Sequence, residues 1–142
     1  MRIVADTNTV LSGLLWQGPP RRLLDLARVR TLTLCTSATL LAELAEVMVR
    51  VKFADRVRAA GLSAMELVQD YERLAEIIEP QALPVPFCRD PDDDHVLACA
   101  LAAQADLIVS RDNDLLVLHP YQGIPILAAA DALESLGKSS SV

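Results

Sequence analysis

MRIVADTNTV (residues 1–10) opens the chain with a short apolar run that ends at an acidic residue, Asp6. Such a run is typical of a short buried strand, and the polar residues Thr7, Asn8 and Thr9 are typical of a turn into a helix. In open α/β sheets, ligands bind beyond the carboxyl ends of the strands, where we expect Asp6 to lie. Asp is also a preferred N-cap, so this stretch alone leaves helix capping and ligand binding open.

The bulk composition favours a single domain with an aliphatic interior. The chain has 142 residues, of which 52% are hydrophobic and 4% aromatic, and this length is sufficient for one buried core. The net charge of −6 argues against a protein that holds nucleic acid through positive charge alone. It leaves a nucleic-acid enzyme open, because bound divalent cations would offset an acidic pocket.

The cysteines and the apolar segments exclude several other classes of protein. Cys35, Cys88 and Cys99 are odd in number and widely spaced, so we expect small buried residues and neither a disulfide framework nor a zinc site. No segment approaches the ~20 apolar residues of a membrane span, and the N-terminus does not have the pattern of a signal peptide. We therefore expect a cytoplasmic protein without membrane contact.

Strand-like and helix-like segments alternate along the chain, which predicts right-handed βαβ crossovers and a parallel sheet. Residues 1–136 are expected to form one domain, and residues 137–142 a disordered tail. The prolines predict an extended loop at 79–91, and Ser63 with Glu66 predicts a capping box. Strands are predicted at 2–6, 31–36, 105–110 and the start of 124–136; helices are predicted at 9–16, 20–29, 38–51, 52–60, 64–78, 92–104 and the end of 124–136.

Carboxylates are expected to converge at one edge of this sheet. Asp6 and Asp112 each follow a predicted strand, and parallel strands all end at the same edge. Glu43 lies on the helix after the second strand, about 95° from the centre of that helix's apolar stripe. This angle puts Glu43 at the border of the buried face, where it can face a cleft or remain an ordinary flanking glutamate.

Two further segments add acids to the same edge. RDPDDDHVL (89–97) has four aspartates within five residues at the start of a helix, and four acids repel one another unless a cation lies among them. Asp94 lies about 90° from the apolar stripe of its helix, the same border position as Glu43. LIVSRDNDLL (107–116) contributes Asp112 and Asp114, which alone would also suit an ordinary turn.

Such a set of acids points to metal-assisted chemistry. Carboxylate oxygens are the hard ligands that Mg²⁺ and Mn²⁺ prefer. Two such ions about 4 Å apart can activate a water and stabilise the leaving oxygen in phosphodiester cleavage. A site of this kind needs no catalytic His or Cys, which suits a chain whose histidines, His95 and His119, form no obvious triad.

Four segments together resemble the PIN-domain ribonucleases, and in particular the VapC-like toxin subunits of bacterial and archaeal toxin–antitoxin pairs. The resemblance extends from the start of the chain to about residue 127. It implies a three-layer α/β/α fold with a central parallel sheet, dependence on Mg²⁺ or Mn²⁺, cleavage of single-stranded RNA, a cognate protein antitoxin and a homodimer. The segments are VADTNTVLSGLL, ATLLAELAEVM, RDPDDDHVLACALAAQADLIVSRDNDLL and IPIL.

The resemblance also assigns roles to individual residues. Asn8 and Ser110 match the polar positions that support the acids, and Asp93 replaces Asp94 if the register slips by one residue. Ser-Arg-Asp stands here where Thr-x-Asp is more frequent. The four acids that the resemblance makes catalytic and metal-binding are Asp6, Glu43, Asp94 and Asp112.

Basic residues are the expected contacts to the RNA backbone. Arg89 and Arg111 flank the acidic segments and are expected to contact the scissile phosphate. Eight of the thirteen basic residues fall between Arg21 and Arg58; they suit solvated helix faces, a phosphate track or a surface for an acidic antitoxin segment. Trp16 suits base stacking or, more simply, packing in the core or a dimer.

Two other functions fit part of the pattern. Haloacid-dehalogenase-like phosphohydrolases also begin with a strand ending in Asp-x-Asp, but here the second acid is replaced by Asn8, and Lys52 and Lys138 are the only lysines. A catalytically silent PIN-like interaction domain would keep the fold without needing the acids. A Rossmann cofactor binder is poorly supported, because no G-x-G-x-x-G follows the first strand.

Overall fold

The central layer is a parallel β-sheet. In the computed structural model, which describes residues 1–80 and 91–140, five strands pair in the order β3-β2-β1-β4-β5, all parallel. Val4 in the central strand pairs with Cys35 on one side and Ile108 on the other. The predicted parallel sheet is confirmed. The strands are β1 (Arg2–Ala5), β2 (Thr33–Ser37), β3 (Glu76–Ile78), β4 (Leu107–Val109) and β5 (Ile126–Leu127).

Helices cover both faces of the sheet. Successive strand residues point to opposite faces, so Ile3 and Ala5 pack in one core with α1, α2, α3, α5 and α8, while Val4 packs in the other with α6 and α7. This gives the three-layer α/β/α arrangement that the sequence predicted. The helices are α1 (Thr7–Leu15), α2 (Pro19–Arg28), α3 (Ala38–Met48), α4 (Ala54–Ala59), α5 (Ala64–Leu74), α6 (Pro91–Ala103), α7 (Asn113–Leu116) and α8 (Ala129–Ser140), with a 3₁₀ turn at Val51–Phe53.

Side-chain caps define where several helices begin. The Ser37 hydroxyl accepts a hydrogen bond from the Leu40 amide at the start of α3. Ser63 and Glu66 form the predicted capping box at the start of α5. Asp6 caps α1 by accepting from the Thr9 amide. These caps fix the residue at which each helix begins, and with it the positions of the side chains in the first turn.

Arginines satisfy the carboxyl end of α1. Arg21 Nη1 lies 3.2 Å from the Gly13 carbonyl oxygen, to which it donates, and Arg56 Nη2 donates to the Leu15 carbonyl at 2.9 Å. Positive charge at a helix C-terminus also complements the helix dipole. Two of the basic residues predicted as solvated or phosphate-binding therefore have a structural role.

The main error of the sequence interpretation is the third strand. Residues 64–78 were expected to form one helix, but α5 ends at Leu74 and Glu76–Ile78 pair with β2. The β-branched Ile77 and Ile78 favour extended backbone, and Glu76 is held at this edge by an ion pair with Arg2 (Nη1 to Oε2, 2.8 Å).

Other predicted boundaries shift by a few residues. The helix predicted at 38–51 ends at Met48, and the final helix extends to Ser140. Cys35 and Cys99 are buried free thiols, as predicted. Most of the predicted loop at 79–91, including Cys88, lies outside the described residues. No helix within 1–80 and 91–140 combines the length and the apolar character needed to cross a bilayer.

The contact between α1 and α2 requires a glycine. A Cβ atom at Gly13 would lie 2.7 Å from Leu24 Cδ1 and 3.0 Å from the Pro20 carbonyl oxygen. Leu24 is itself buried, so its side chain has little room to move away. Gly13 therefore sets the distance at which α2 packs on α1, the helix that follows Asp6.

We expect Gly13→Ala to destabilise the protein, because overpacking of a core contact costs about 1–3 kcal/mol. The gain in helix propensity, about 1 kcal/mol or less, offsets only part of this. Gly137→Ala is the matched control, since nothing lies within 4 Å of the added Cβ and the residue is helical; it is expected to be neutral or stabilising. Urea unfolding of both variants measures the difference, and equal stability would contradict this packing constraint.

Candidate metal centre

One cleft at the carboxyl edge of the sheet gathers acids from four parts of the chain. Its volume is about 250 Å³. Besides the acids, its lining includes Thr7, Val47, Arg50 and Val96. Asp6 follows β1, Glu43 lies on α3 after β2, and Asp112 follows β4. The first turn of α6 reaches the same cleft from the other side of the sheet. The acids that line the cleft are Asp6, Glu43, Asp92, Asp93 and Asp112, together with the amide side chain of Asn8.

Asp6 is buried and hydrogen-bonded through both carboxylate oxygens. Its side chain is 6% exposed. Oδ1 accepts from the Thr9 amide at 2.9 Å, and Oδ2 accepts from the Ser110 hydroxyl at 2.5 Å. The two interpretations left open by the sequence are thus compatible, because one carboxylate both caps α1 and lines the cleft.

Ser110 connects the first acid to the last one. Its hydroxyl donates to Asp6 and accepts from the backbone amide of Asp112 at 2.9 Å. The side chain is completely buried, so both bonds are shielded from water and correspondingly strong. Ser110 therefore holds the Asp6 carboxylate and the backbone of Asp112 in a fixed relation.

Glu43 is held from two sides. Oε2 accepts a hydrogen bond from the Thr7 hydroxyl at 3.3 Å, and Oε1 lies 2.6 Å from His95 Nδ1. Only 15% of the Glu43 side chain is exposed. Burial raises the pKa of Glu43, Asp92 raises it further, and the hydrogen bond with His95 acts in the opposite direction.

Asp93, not Asp94, has the position in the cleft, which corrects the placement predicted for Asp94. Asp93 is 6% exposed and lines the cleft, whereas Asp94 is only half-buried and does not line it. Asp93 lies about 50° from the centre of the buried face of α6, and Asp94 about 150°. The sequence pattern counted Leu101 in this face, but Leu101 is half-buried. The residues of α6 that are buried in the core on this side of the sheet are Val96, Leu97, Cys99, Ala100 and Ala103.

Two groups of side chains have the spacing that a metal ion requires. In the first, ligand atoms of Asp93, Asp112 and Asp114 all lie within 4.8 Å of one another; in the second, those of Glu43, Asp92 and His95 do. The first group is all oxygen, and Asp6 lines the same cleft, which suits Mg²⁺ or Mn²⁺ better than zinc. These residues therefore fit a hard divalent ion.

The sequence interpretation missed several contacts of this site. Asp114, treated as a turn residue, groups with Asp93 and Asp112, and Arg50 also lines the cleft. Arg111 lines an adjoining opening of about 370 Å³ with Asp6 and Asp112. Arg89 lies outside the described residues.

A larger cavity, of about 730 Å³, lies away from the acids of the cleft, beside the C-terminal end of α1 and along α5. Arg28 and Asp70 in its wall bind each other with an Nη2–Oδ2 distance of 2.5 Å. Trp16 forms part of the wall and packs edge-on against Phe53, with the Arg56 guanidinium 5.0 Å from the centre of its ring. Trp16 is 36% exposed, so it lies at the surface and not in the core. The acids of the candidate metal centre line the smaller cleft.

Comparison with known proteins identifies the class of this fold and site. Residues 2–114 match the family model described as PIN domain, so the chain belongs to the PIN domain family. Members of this family are generally nucleases. No curated protein gives a significant sequence match.

A solved structure has the same fold. The crystal structure of VapBC2 from Rickettsia felis, bound to a DNA fragment from their promoter, matches with a TM-score of 0.56 and 18% identity. The match covers 89% of this chain and 97% of that chain. At this level of identity the similarity establishes the fold.

We expect metal-free Glu43→Gln to be more stable than the wild type at neutral pH. A carboxyl group whose pKa is raised by folding stabilises the folded state only while it is protonated. For Glu43 this stabilisation is lost as the pH rises from 4.5, the ordinary pKa of a glutamate, through the higher pKa in the folded protein. Gln mimics the protonated form, so the advantage should shrink below pH 4.5. Urea unfolding in chelator across this range measures it.

The matched control is Glu46→Gln, an exposed glutamate on the same helix, which should change stability little at any pH. A Glu43→Gln protein that is less stable than the wild type at neutral pH would contradict the unfavourable burial of this carboxylate.

Proposed function

We propose that this protein is an endoribonuclease that requires Mg²⁺ or Mn²⁺, cleaves single-stranded RNA and serves as the toxin of a toxin–antitoxin pair. The observation that carries the proposal is the convergence of Asp6, Glu43, Asp93 and Asp112 on one cleft. Their carboxylates would repel one another strongly in the absence of a cation. Membership of the PIN domain family supports nuclease chemistry at this place.

Some residues of the cleft would bind the metal ion, and others orient the residues that bind it. Asp93, Asp112 and Asp114, whose ligand atoms lie within 4.8 Å of one another, would hold the ion. Asp6 and Glu43 line the same cleft, and Asp93 takes the role first assigned to Asp94. When bound, the ion supplies charge stabilisation to the phosphate and an acidified water. Ser110 keeps Asp6 and Asp112 at a fixed separation through its two hydrogen bonds.

Arginines provide the contacts that a polyanionic substrate needs. Arg50 lines the cleft, and Arg111 lines the adjoining opening. Because the acids repel phosphates until an ion is bound, positive charge at the rim is needed to hold the RNA backbone. We assign substrate contacts to these two residues.

The competing functions have less support. A phosphohydrolase of the haloacid-dehalogenase kind needs a second acid where Asn8 lines the cleft, and an amide cannot act as its general acid. A silent interaction domain does not require the set of buried and half-buried acids, since burying a carboxylate is unfavourable without a ligand or partner.

A protein antitoxin is the proposed partner, in the cytoplasm. The solved complex named VapBC2 gives this fold a precedent in such a pair, although the similarity itself carries only the fold.

The exposed apolar side chains of Val49, Val51 and Met65 suit a protein interface. We propose that they bury surface in a homodimer, which light scattering of the purified chain can test.

We expect Asp93→Asn to abolish metal-dependent cleavage of a labelled single-stranded RNA, and Asp94→Asn to retain it. The loss should exceed the roughly 10–100-fold that is typical of a change outside the ligand shell. Asp6→Asn and Asp112→Asn should lose cleavage equally, with an unchanged far-UV spectrum showing that the fold is intact. Chelator should stop the wild type, and added Mn²⁺ should restore it.

Equal cleavage by the wild type and all four variants would assign the activity to a contaminant. Loss in Asp94→Asn with retention in Asp93→Asn would reverse the assignment of the third acid. Hydrolysis of a generic phosphomonoester at a comparable rate would favour the phosphohydrolase instead.

A further inference from the structure

His95 connects two helices that carry acids of the cleft. It lies on α6, three residues after Asp92, and its Nδ1 is 2.6 Å from Oε1 of Glu43 on α3. An ionised Glu43 carboxylate can only accept a hydrogen bond, and in that state Nδ1 is the donor. Asp92 Oδ1 is farther away, at 3.9 Å from Nδ1, which leaves Glu43 as the hydrogen-bond partner.

Thr7 holds the same carboxylate from the opposite side. Its hydroxyl donates to Oε2, while the imidazole binds Oε1. The terminal torsion of a glutamate is otherwise broad and loosely defined. One donor on each oxygen therefore fixes the plane of the Glu43 carboxylate relative to α1 and α6.

His95 itself stands outside the cleft. Among the described residues that line the cleft, Glu43 and Asp92 are present and His95 is not. Its side chain is 42% exposed, and the nitrogen that faces the acids is already engaged by Glu43. His95 is not in the group formed by Asp93, Asp112 and Asp114, so it would affect an ion held there through Glu43.

We propose that His95 is a positioning residue: its Nδ1–H fixes the Glu43 carboxylate so that the remaining lone pairs of that group face the ion. The proposal rests on the metal site of the proposed function. Outer partners of ligating groups commonly change metal affinity by about 10–100-fold when removed. The effect here should be near the lower end, because Thr7 still holds the other oxygen.

The test compares two amide substitutions. In His95→Asn the amide nitrogen occupies the place of Nδ1, whereas in His95→Gln it occupies the place of Nε2, which does not contact Glu43. Calorimetric titration with Mn²⁺ should show Kd weakened by roughly 10-fold in His95→Ala and His95→Gln. His95→Asn should bind close to the wild type. In a Glu43→Gln background, His95→Ala should have no further effect.

A metal-free readout tests the contact directly. In ¹⁵N NMR spectra of the apo protein, Nδ1 of His95 should have the shift of a protonated nitrogen, and Glu43→Ala should return it to the ordinary tautomer with hydrogen on Nε2. This arm does not need the protein to bind metal or cleave RNA, so it separates a failure of the positioning role from a failure of the proposed function.

Two results would overturn the proposal. One is a different order of Mn²⁺ affinities, in which His95→Ala binds as tightly as the wild type or His95→Gln binds as tightly as His95→Asn. The other is an unprotonated Nδ1 in the apo wild type. If instead Mn²⁺ binds with the expected order of affinities but RNA is not cleaved, the positioning role stands and the ribonuclease assignment fails.

Discussion

The buried carboxylate of Asp6 is the constraint on which the rest of the site depends. Burying a charge is unfavourable unless it is hydrogen-bonded, paired with an opposite charge or bound to a metal ion. Here the Thr9 amide and the Ser110 hydroxyl satisfy its two oxygens, and the Asp6 amide donates to the Val109 carbonyl at 3.1 Å. The end of β1, the start of α1 and the end of β4 are thereby joined at one residue. The positions of the other acids follow from where these elements lead.

The remainder of the fold keeps that junction rigid. At its far end, α1 is capped by Arg21 and Arg56, and α2 packs closely on it at Gly13. Glu43 and Asp93 approach from helices that belong to opposite layers, so the sheet edge is the one place where they can meet. The acids repel one another and so destabilise the fold. The packing and capping of the surrounding helices supply the stability that keeps the acids close together.

Much of this arrangement is readable from the sequence. The strand before Asp6, the caps at Ser37 and Ser63, and the alternation of strands with helices have strong local signals. The strand at Glu76–Ile78 has only a weak local signal, its two isoleucines, because it is short, largely exposed, and preceded by good helix formers. Only pairing with β2, a long-range event, makes it a strand.

The third acid shows a different limit of sequence interpretation. Helix α6 is rich in Ala and Cys on several sides, so its apolar stripe has no sharp centre, and buried Ala98 adds to the ambiguity. A shift of one residue changes which aspartate faces the cleft. The contact of Glu43 with His95, between residues 52 positions apart, cannot be found from spacing at all.

The double role of Asp6 also limits how this protein can lose its chemistry. Asparagine retains an oxygen for the Thr9 amide, so helix α1 would still begin at the same residue. The negative charge would disappear, and the Ser110 hydroxyl would face either an amide oxygen or an amide nitrogen. A single-base change of codon 6 from Asp to Asn would therefore remove one acid from the cleft and keep the shape of the protein.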